Sequence, residues 1–260
     1  MNRKWQLILV FMAAGACSDR AALALSGTSY TQNFDSIGNG LPTGWSVYTG
    51  ATSSSLGTSA SFSTAKTHWS ETSGGFYNAA SADGLLSYSS NTAQDGSSDR
   101  VLAVKQVGSG GYDPGAAIVL QIQNTAGYGN FSLSLKAQQL NSQNRSTTWL
   151  FQYRIGDSGD FITLSTFVDP GAWGYTSISF DSSDLAAWND QSSDIWFRIV
   201  ALSDSTGSNS RDMFAIDDFT LSYSVVPELD QLGLMSGAGL LAFCGFQVWR
   251  QRRCCEQRKS

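Results

Sequence analysis

Four aromatic residues stand in polar, loop-like stretches of the sequence, where a ring can stay open to a ligand. They are Trp69, Tyr77, Tyr112 and Trp173. A flat aromatic ring covers the apolar face of a pyranose, so we predict these four residues as ligand contacts. The competing interpretation is packing, because aromatic side chains also bury large apolar areas. Aromatic residues inside strand patterns, such as Trp149, are assigned to the core.

Catalytic residues are much harder to find. Glycoside hydrolysis needs two carboxylates flanking one bond, yet Glu71 is the only glutamate between residues 25 and 224. His68 is the only histidine, and no G-x-S-x-G motif accompanies it. We therefore predict no catalytic residue. A secreted polysaccharide-active enzyme, either a glycoside hydrolase or a lyase, is the alternative to a binding protein.

Alternation of apolar and polar residues with a period of two predicts the elements that hold these side chains. In FSLSLKAQQ, residues 131–139, the apolar side chains fall on one face and the polar ones on the other. Nine more segments read as strands separated by turn residues: SYTQNF, WSVYT, VLAVKQV, AIVLQIQ, WLFQYRI, FITLS, YTSISF, IWFRIVA and FAIDDFTLSY. This pattern predicts an all-β fold, a single two-sheet antiparallel β-sandwich over residues 25–224. Residues 51–98, poor in aliphatic side chains, are expected to form long loops or ragged edge strands.

The alternation slips within the closing strand. Phe214 and Ile216 share one parity, whereas Phe219 has the other. A β-bulge at Asp217 and Asp218 brings both apolar sets to one core and turns a carboxylate sideways.

The order of these motifs resembles a known family. An opening QNFD with a nearby GLPTGW, the hairpin WLFQYRIGDSGDFITL and the closing FAIDDFTLSY are similar to lectin-like jelly rolls of bacterial surface proteins and carbohydrate-binding modules. The resemblance spans about residues 30–223 and implies a jelly roll whose first strand lies beside its last. It also implies a structural calcium ion held by Asp35, Asp217 and Asp218, since oxygen ligands suit Ca²⁺. The alternative is that these aspartates cap turns and face solvent.

Charge and cysteine content limit the function classes. Between residues 25 and 224, 17 Asp and Glu against 8 Lys and Arg give a balance of −9. An acidic domain without a basic stripe excludes nucleic acid as a partner, because that binding depends on Lys and Arg. The four cysteines are Cys17, Cys244, Cys254 and Cys255, so this region has no disulfide, zinc-thiolate or thiol chemistry.

The N-terminus has the pattern of a secretory signal. Arg3 and Lys4 precede an apolar run over residues 7–16, and an A-x-A site follows at residues 22–24. We predict a cleaved signal peptide over residues 1–24. An alternative is cleavage after Ala14-Gly15-Ala16, which would leave Cys17 as a lipidation site.

The C-terminus ends in an apolar run and a basic cluster. Residues 232–249 are long enough for a transmembrane helix. The basic tail, residues 250–260, holds the helix at the cytoplasmic side and leaves the acidic domain outside.

A second resemblance becomes specific in this region, residues 225–260. Val226, Pro227 and Glu228, the apolar span, and the cluster Arg250, Arg252 and Arg253 resemble the PEP-CTERM sorting signal of Gram-negative bacteria. Leu229 stands where that family has a second proline. The resemblance implies an exosortase-like processing partner and delivery to the cell surface or the exopolysaccharide matrix.

These patterns together predict an exported, non-catalytic protein that acts in adhesion or glycan binding. Its expected partners are the sorting machinery, the membrane through the C-terminal helix, and a polysaccharide. We expect the mature chain to be anchored in the membrane or released into the extracellular matrix after processing.

Overall fold

The structure of the chain is a computed structural model that describes residues 21–226. Most of the predicted signal peptide, Cys17 and the helix predicted over residues 232–249 lie outside these described residues. The same holds for the sorting residues Pro227, Glu228, Arg250, Arg252 and Arg253. Among residues 21–226, none of the helices has the length and apolar character needed to cross a membrane.

Strands make up most of the described chain. In chain order they are β1 Ser29–Gln32, β2 Trp45–Thr49, β3 Thr58–Ser59, β4 Phe62–Thr67, β5 Gly75–Ala80, β6 Arg100–Lys105, β7 Ala117–Ile122, β8 Tyr128–Asn141, β9 Arg145–Ser146, β10 Thr148–Ile155, β11 Ile162–Val168, β12 Gly174–Phe180, β13 Ile195–Val200, β14 Thr206–Gly207 and β15 Met213–Val225. One short α-helix, α1, spans Asn91–Gly96, and 3₁₀ turns span Ile37–Asn39 and Ala186–Trp188.

The strands form two large sheets that face each other. The larger sheet has the order β12-β8-β15-β6-β5-β4, with β1 paired to β15, and the smaller has the order β11-β10-β13-β7-β2-β3. Strands β9 and β14 form a separate ribbon. Every pairing is antiparallel except that of β4 with β5. The predicted all-β sandwich of jelly-roll type is confirmed, and its first strand lies beside its last.

The core between the sheets follows the predicted alternation. Phe131, Leu133 and Leu135 of β8 are buried in it, as are the alternate residues of β7, β10 and β13. Trp149 from the smaller sheet stacks on Phe214 from the larger sheet, with ring centroids 4.2 Å apart. Burial of these side chains between two sheets is what requires a period of two in the sequence.

The closing strand contains the predicted bulge. The register of β15 against β8 shifts between Asp217 and Thr220, and Asp218 has a positive φ of 47°. Ile216 and Phe219 therefore both reach the core. Asp217 lies on the outer face of the larger sheet, where it contacts Ser81.

The prediction for residues 51–98 was partly wrong. Strand β5 lies inside the larger sheet, between β6 and β4, rather than at an edge. Its sequence, GFYNAA, contains no aliphatic residue larger than alanine, because its outer face is covered by the chain that follows it. The small side chains leave room for the loop that packs on them. They also lack the alternation of large apolar residues by which the other strands were predicted.

A second apolar cluster lies on the outer face of the larger sheet. Its buried members come from β5, β6, β8 and β15 and from the loops before and after β5: Trp69, Ala79, Ala80, Ala82, Val101, Ala103, Leu140, Met213 and Ala215. The loop over residues 81–99, which includes α1, supplies Ala82 and Leu85 to this cluster.

Candidate functional site

An open groove of about 350 Å³ lies at the rim of this outer cluster. We call it the Trp173 groove. Its lining combines aromatic rings with amides and hydroxyls, and consists of Trp69, Ser70, Ser87, Tyr88, Ser89, Asn91, Gln94, Leu140, Asn141, Ser142 and Trp173. The lining residues come from the end of β8 and from three separate loops.

Trp69 forms the rigid floor of the groove. Its backbone N–H donates to Gln94 Oε1 at 2.9 Å, and its indole N–H donates to the Ala80 carbonyl at 2.8 Å. Its own carbonyl accepts a hydrogen bond from Asn141 Nδ2 at 2.8 Å. The Trp173 ring packs against it with centroids 5.6 Å apart and planes tilted by 58°. Trp69 is only 4% exposed, whereas Trp173 is half-buried and presents part of its ring to the groove.

Tyr88 projects from the opposite wall. A tight turn brings Leu86 and Ser89 together, since Ser89 N–H donates to the Leu86 carbonyl at 2.8 Å and Leu86 N–H donates to Ser89 Oγ at 3.0 Å. Gln94 Nε2 donates a hydrogen bond to the Ser89 carbonyl at 3.0 Å and so stabilises the turn. The turn leaves Tyr88 82% exposed. Sequence reasoning missed this residue, although an aromatic side chain within SYSSN has no strand pattern around it and is the same kind of signal as the four predicted residues.

The chemistry of the groove is that of a binding surface. None of its lining residues is an aspartate, glutamate, histidine, lysine or arginine. Aromatic faces, amides and hydroxyls bind a ligand that offers both apolar faces and hydroxyl groups.

The structure brings together two of the four predicted aromatic residues. Trp69 and Trp173 line the groove, and Tyr77 and Tyr112 do not. Tyr77 lies in β5 rather than in a loop; its hydroxyl donates to the Ser73 carbonyl at 3.0 Å, and burial raises its pKa. Tyr112 packs on Phe76 of the core, with ring centroids 5.8 Å apart. A ligand role for Tyr77 and Tyr112 stays a prediction.

The predicted calcium ligand Asp217 is satisfied by protein donors. Its Oδ2 accepts hydrogen bonds from Ser81 Oγ at 3.0 Å and Gln138 Nε2 at 3.1 Å, and its Oδ1 accepts from the Asp218 N–H at 2.8 Å. Asp217 is 1% exposed, and this burial, with repulsion from Asp218 and Asp99, raises its pKa to about 8. Burial thus favours the protonated form of this carboxyl group over the carboxylate.

The other two predicted calcium ligands have partners of their own. Asp35 Oδ1 accepts the Arg100 N–H at 3.0 Å, and Asp218 pairs with Lys136 at 2.8 Å, an ion pair that raises the pKa of the lysine. No group of three acidic, histidine or cysteine side chains suited to a metal ion occurs within residues 21–226. Each of the three aspartates has protein partners in this structure, and the calcium site stays a prediction.

The two residues considered for catalysis do not form a catalytic pair. His68 Nε2 lies 3.0 Å from Asp95 Oδ1, and no hydroxyl in the described chain hydrogen-bonds this ring. The Glu71 carboxylate accepts the N–H groups of Thr72 and Ser73, both at 2.8 Å, and these bonds lower its pKa. Glu71 therefore caps a turn.

No model of a protein family matches this chain, and no curated protein sequence matches it. Among solved structures, it is similar to the C-terminal family 22 carbohydrate-binding module of Clostridium thermocellum Xyn10B, at 11% identity and a TM-score of 0.38, over 75% of this chain and 94% of that one. The cleaved adhesin domain K3 of Lys-gingipain from Porphyromonas gingivalis is also similar. It has 12% identity and a TM-score of 0.37, over 74% of this chain and 98% of that one.

A third similar structure is the CBM22-1 xylan-binding domain of Paenibacillus barcinonensis Xyn10C. It gives 11% identity and a TM-score of 0.36, over 76% of this chain and 94% of that one.

Proposed function

We propose that this chain is an exported, non-catalytic glycan-binding protein of the cell surface or the exopolysaccharide matrix. The observation that carries glycan binding is the Trp173 groove, in which aromatic rings stand beside amides and hydroxyls. Rings of Trp and Tyr cover the apolar faces of sugars, and amides and hydroxyls exchange hydrogen bonds with sugar hydroxyls. Because hydrogen bonds already fix Trp69 and Gln94, little conformational entropy is lost when a ligand binds.

The lining of the groove supports binding over hydrolysis. Glycoside hydrolysis needs a pair of carboxyl groups beside the bond, and the described lining contains none. The absence of charge from the lining also favours a polysaccharide that is neutral where it contacts the rings.

Export and surface delivery rest on the terminal sequences. The signal-peptide pattern over residues 1–24 leads the chain out of the cytoplasm, and the PEP-CTERM-like segment over residues 225–260 delivers it to an exosortase-like partner. Until processing, the helix predicted over residues 232–249 anchors the chain in the membrane, with the basic tail inside.

Two assays on the same samples test glycan binding against hydrolysis. The full chain, purified in detergent, is run in native gels that contain candidate polysaccharides, and each mixture is assayed for new reducing ends. A binder is retarded and releases no reducing ends. Release of reducing ends would support the enzyme alternative, and a chain that is retarded by none of the polysaccharides would contradict glycan binding.

A truncation tests delivery separately. A chain without residues 227–260 is expected to leave the envelope fraction while it keeps its retardation in polysaccharide gels. Unchanged envelope attachment of the truncated chain would contradict the sorting role of this segment.

A further inference from the structure

Asp169 and Asp212 form a buried pair of carboxyl groups beneath the Trp173 groove. Asp169 follows β11 and is 6% exposed; Asp212 precedes β15 and is 4% exposed. The segments that carry them meet at the end of β8, since Gln143 donates to Asp212 while the adjacent Ser142 donates to the carbonyl of Gly171, whose N–H donates to Asp169. Two buried carboxyl groups this close together either share a proton, so that only one is charged, or both ionise with a cation between them.

Two oxygen atoms at this place have no hydrogen-bond donor among residues 21–226. Asp212 Oδ1 accepts the Gln143 N–H, and its Oδ2 accepts from Gln139 Nε2 at 3.2 Å. Asp169 Oδ1 accepts the Gly171 N–H at 2.7 Å. The remaining oxygens, Asp169 Oδ2 and Gln139 Oε1, are buried and have no hydrogen-bond partner within residues 21–226. Water cannot easily serve as the partner of Gln139, because its side chain is only 1% exposed. Unpaired buried oxygens are costly, and a bound cation satisfies them.

The nearby basic side chains do not neutralise the pair. The Lys105 ammonium donates to the Arg211 carbonyl, and within residues 21–226 it forms no ion pair with a carboxylate. It attracts Asp212, but it is also shared with Glu71. The Arg211 guanidinium pairs with Asp113.

We propose that a calcium ion binds between Asp169 and Asp212, with Gln139 Oε1 as a third ligand. The three groups offer only oxygen donors, which suit Ca²⁺, and the donor set contains no nitrogen or sulfur ligand of the kind that selects zinc. Two carboxylates match the charge of one divalent ion. This site differs from the one predicted at Asp35, Asp217 and Asp218, which lies on other strands and is already satisfied.

The ion would join two segments that line the groove. Asp169 Oδ1 accepts a hydrogen bond from the Gly171 N–H, and Ser142 Oγ donates to the Gly171 carbonyl at 2.8 Å. Gly171 lies two residues before Trp173 in the chain. Asp212 fixes the Gln143 N–H beside Ser142. Calcium therefore holds the loop that carries Trp173 against the end of β8. Calcium binding itself does not depend on the proposed glycan binding.

Thermal unfolding of the full chain tests the site. The protein is freed of divalent ions with EDTA, exchanged into chelator-free buffer near neutral pH, and unfolded with and without CaCl₂. We expect saturating Ca²⁺ to raise the Tm by about 5 °C or more. Asp212→Asn is expected to abolish the shift, and the matched control Asp217→Asn, another buried aspartate next to the same sheet, is expected to keep it.

Three results would overturn the site. They are no calcium-dependent shift in the wild type, the same shift in Asp212→Asn, or loss of the shift in Asp217→Asn. A proton shared by the pair gives the first of these results. If Asp212→Asn does not fold, calorimetric titration of Asp217→Asn with Ca²⁺ decides: one site supports the proposal, and no binding contradicts it.

Discussion

The Trp173 ring rests on the buried Trp69 ring, with centroids 5.6 Å apart, so one indole positions the other at the edge of the groove. Trp69 is held by hydrogen bonds from its backbone and its indole nitrogen, whereas the Trp173 indole nitrogen is buried without a partner. The two residues therefore differ: Trp69 is fixed within the fold, whereas Trp173 keeps part of its ring exposed and is the contact that we propose for a glycan.

Trp173→Ala is expected to weaken polysaccharide binding at least about tenfold, because a central aromatic contact of an interface contributes on the order of 2 kcal/mol. The fold should persist, since Trp173 is only partly buried. Affinity electrophoresis measures the binding, and the Tm reports the fold. Tyr175→Ala is the matched control: this residue is 49% exposed on β12, near Trp173 but outside the groove, and its loss should leave the affinity unchanged. Equal losses in both variants would exclude Trp173 as a specific contact.

Tyr88→Ala is expected to lower affinity as well, with no measurable change in stability. The side chain is 82% exposed at the tip of its turn, so its removal costs the folded state almost nothing. Tyr88→Phe should keep most of the affinity if the ring face is the contact. If Tyr88→Phe binds as weakly as Tyr88→Ala, the hydroxyl rather than the ring is what the ligand contacts.

The strands of this protein could be predicted from sequence because burial between two sheets imposes a period of two. The inward faces of β7, β8, β10 and β13 and the bulge in β15 all follow from that rule. Strand β5 was missed because its small residues are covered on the outer face. Alternation of apolar and polar residues identifies a strand that has one solvent-exposed face. It identifies a strand that is buried on both faces less readily.

The positions of the loops depend on contacts with residues that are distant in sequence. They could therefore be predicted only in part. The strand pattern turns Arg198 outward, as a solvent-facing charge, yet it is fully buried because the loop before β3 covers it. Its guanidinium donates to the carbonyls of Thr52 and Ser55 and lies 3.6 Å from the centroid of the Phe161 ring. Likewise, no local pattern shows that Trp69, Trp173 and the turn of Tyr88 meet at one groove.

Asp217→Asn tests the buried carboxyl of the closing strand through pH. Because burial raises the folded-state pKa to about 8, above its ordinary value of 3.8, the group stabilises the protein fully only below about pH 4. That contribution is lost as the pH rises towards 8, by at most about 1.4 kcal/mol per pH unit.

The variant cannot ionise, so we expect its free energy of unfolding to exceed that of the wild type at pH 8 and to match it near pH 4. Urea unfolding at several pH values measures the difference. A wild type that gains stability over Asp217→Asn as the pH rises would contradict this expectation. It would instead show that the ionised carboxyl group is stabilised in the folded protein.

Leu23 gives a prediction about the mature N-terminus. Although the A-x-A pattern places it inside the signal peptide, Leu23 is 9% exposed in the main core and pairs with β7. Its N–H donates to the Gln121 carbonyl at 2.8 Å, and its carbonyl accepts the Gln123 N–H at 2.9 Å. Burying a leucine contributes about 1.5–3 kcal/mol, and the paired backbone groups add to this.

A chain that starts at Leu25 is therefore expected to unfold roughly 5–10 °C below one that starts at Ala21. Leu23→Ala in the longer chain is the matched control and should account for most of the difference. Cleavage at the upstream site, before Cys17, keeps Leu23 in place, whereas cleavage after Ala24 removes it. We expect mass spectrometry of the exported protein to find an N-terminus upstream of Ala21. Equal Tm values for the two truncated chains, together with a mature N-terminus at Leu25, would show that the contact of Leu23 with β7 is dispensable.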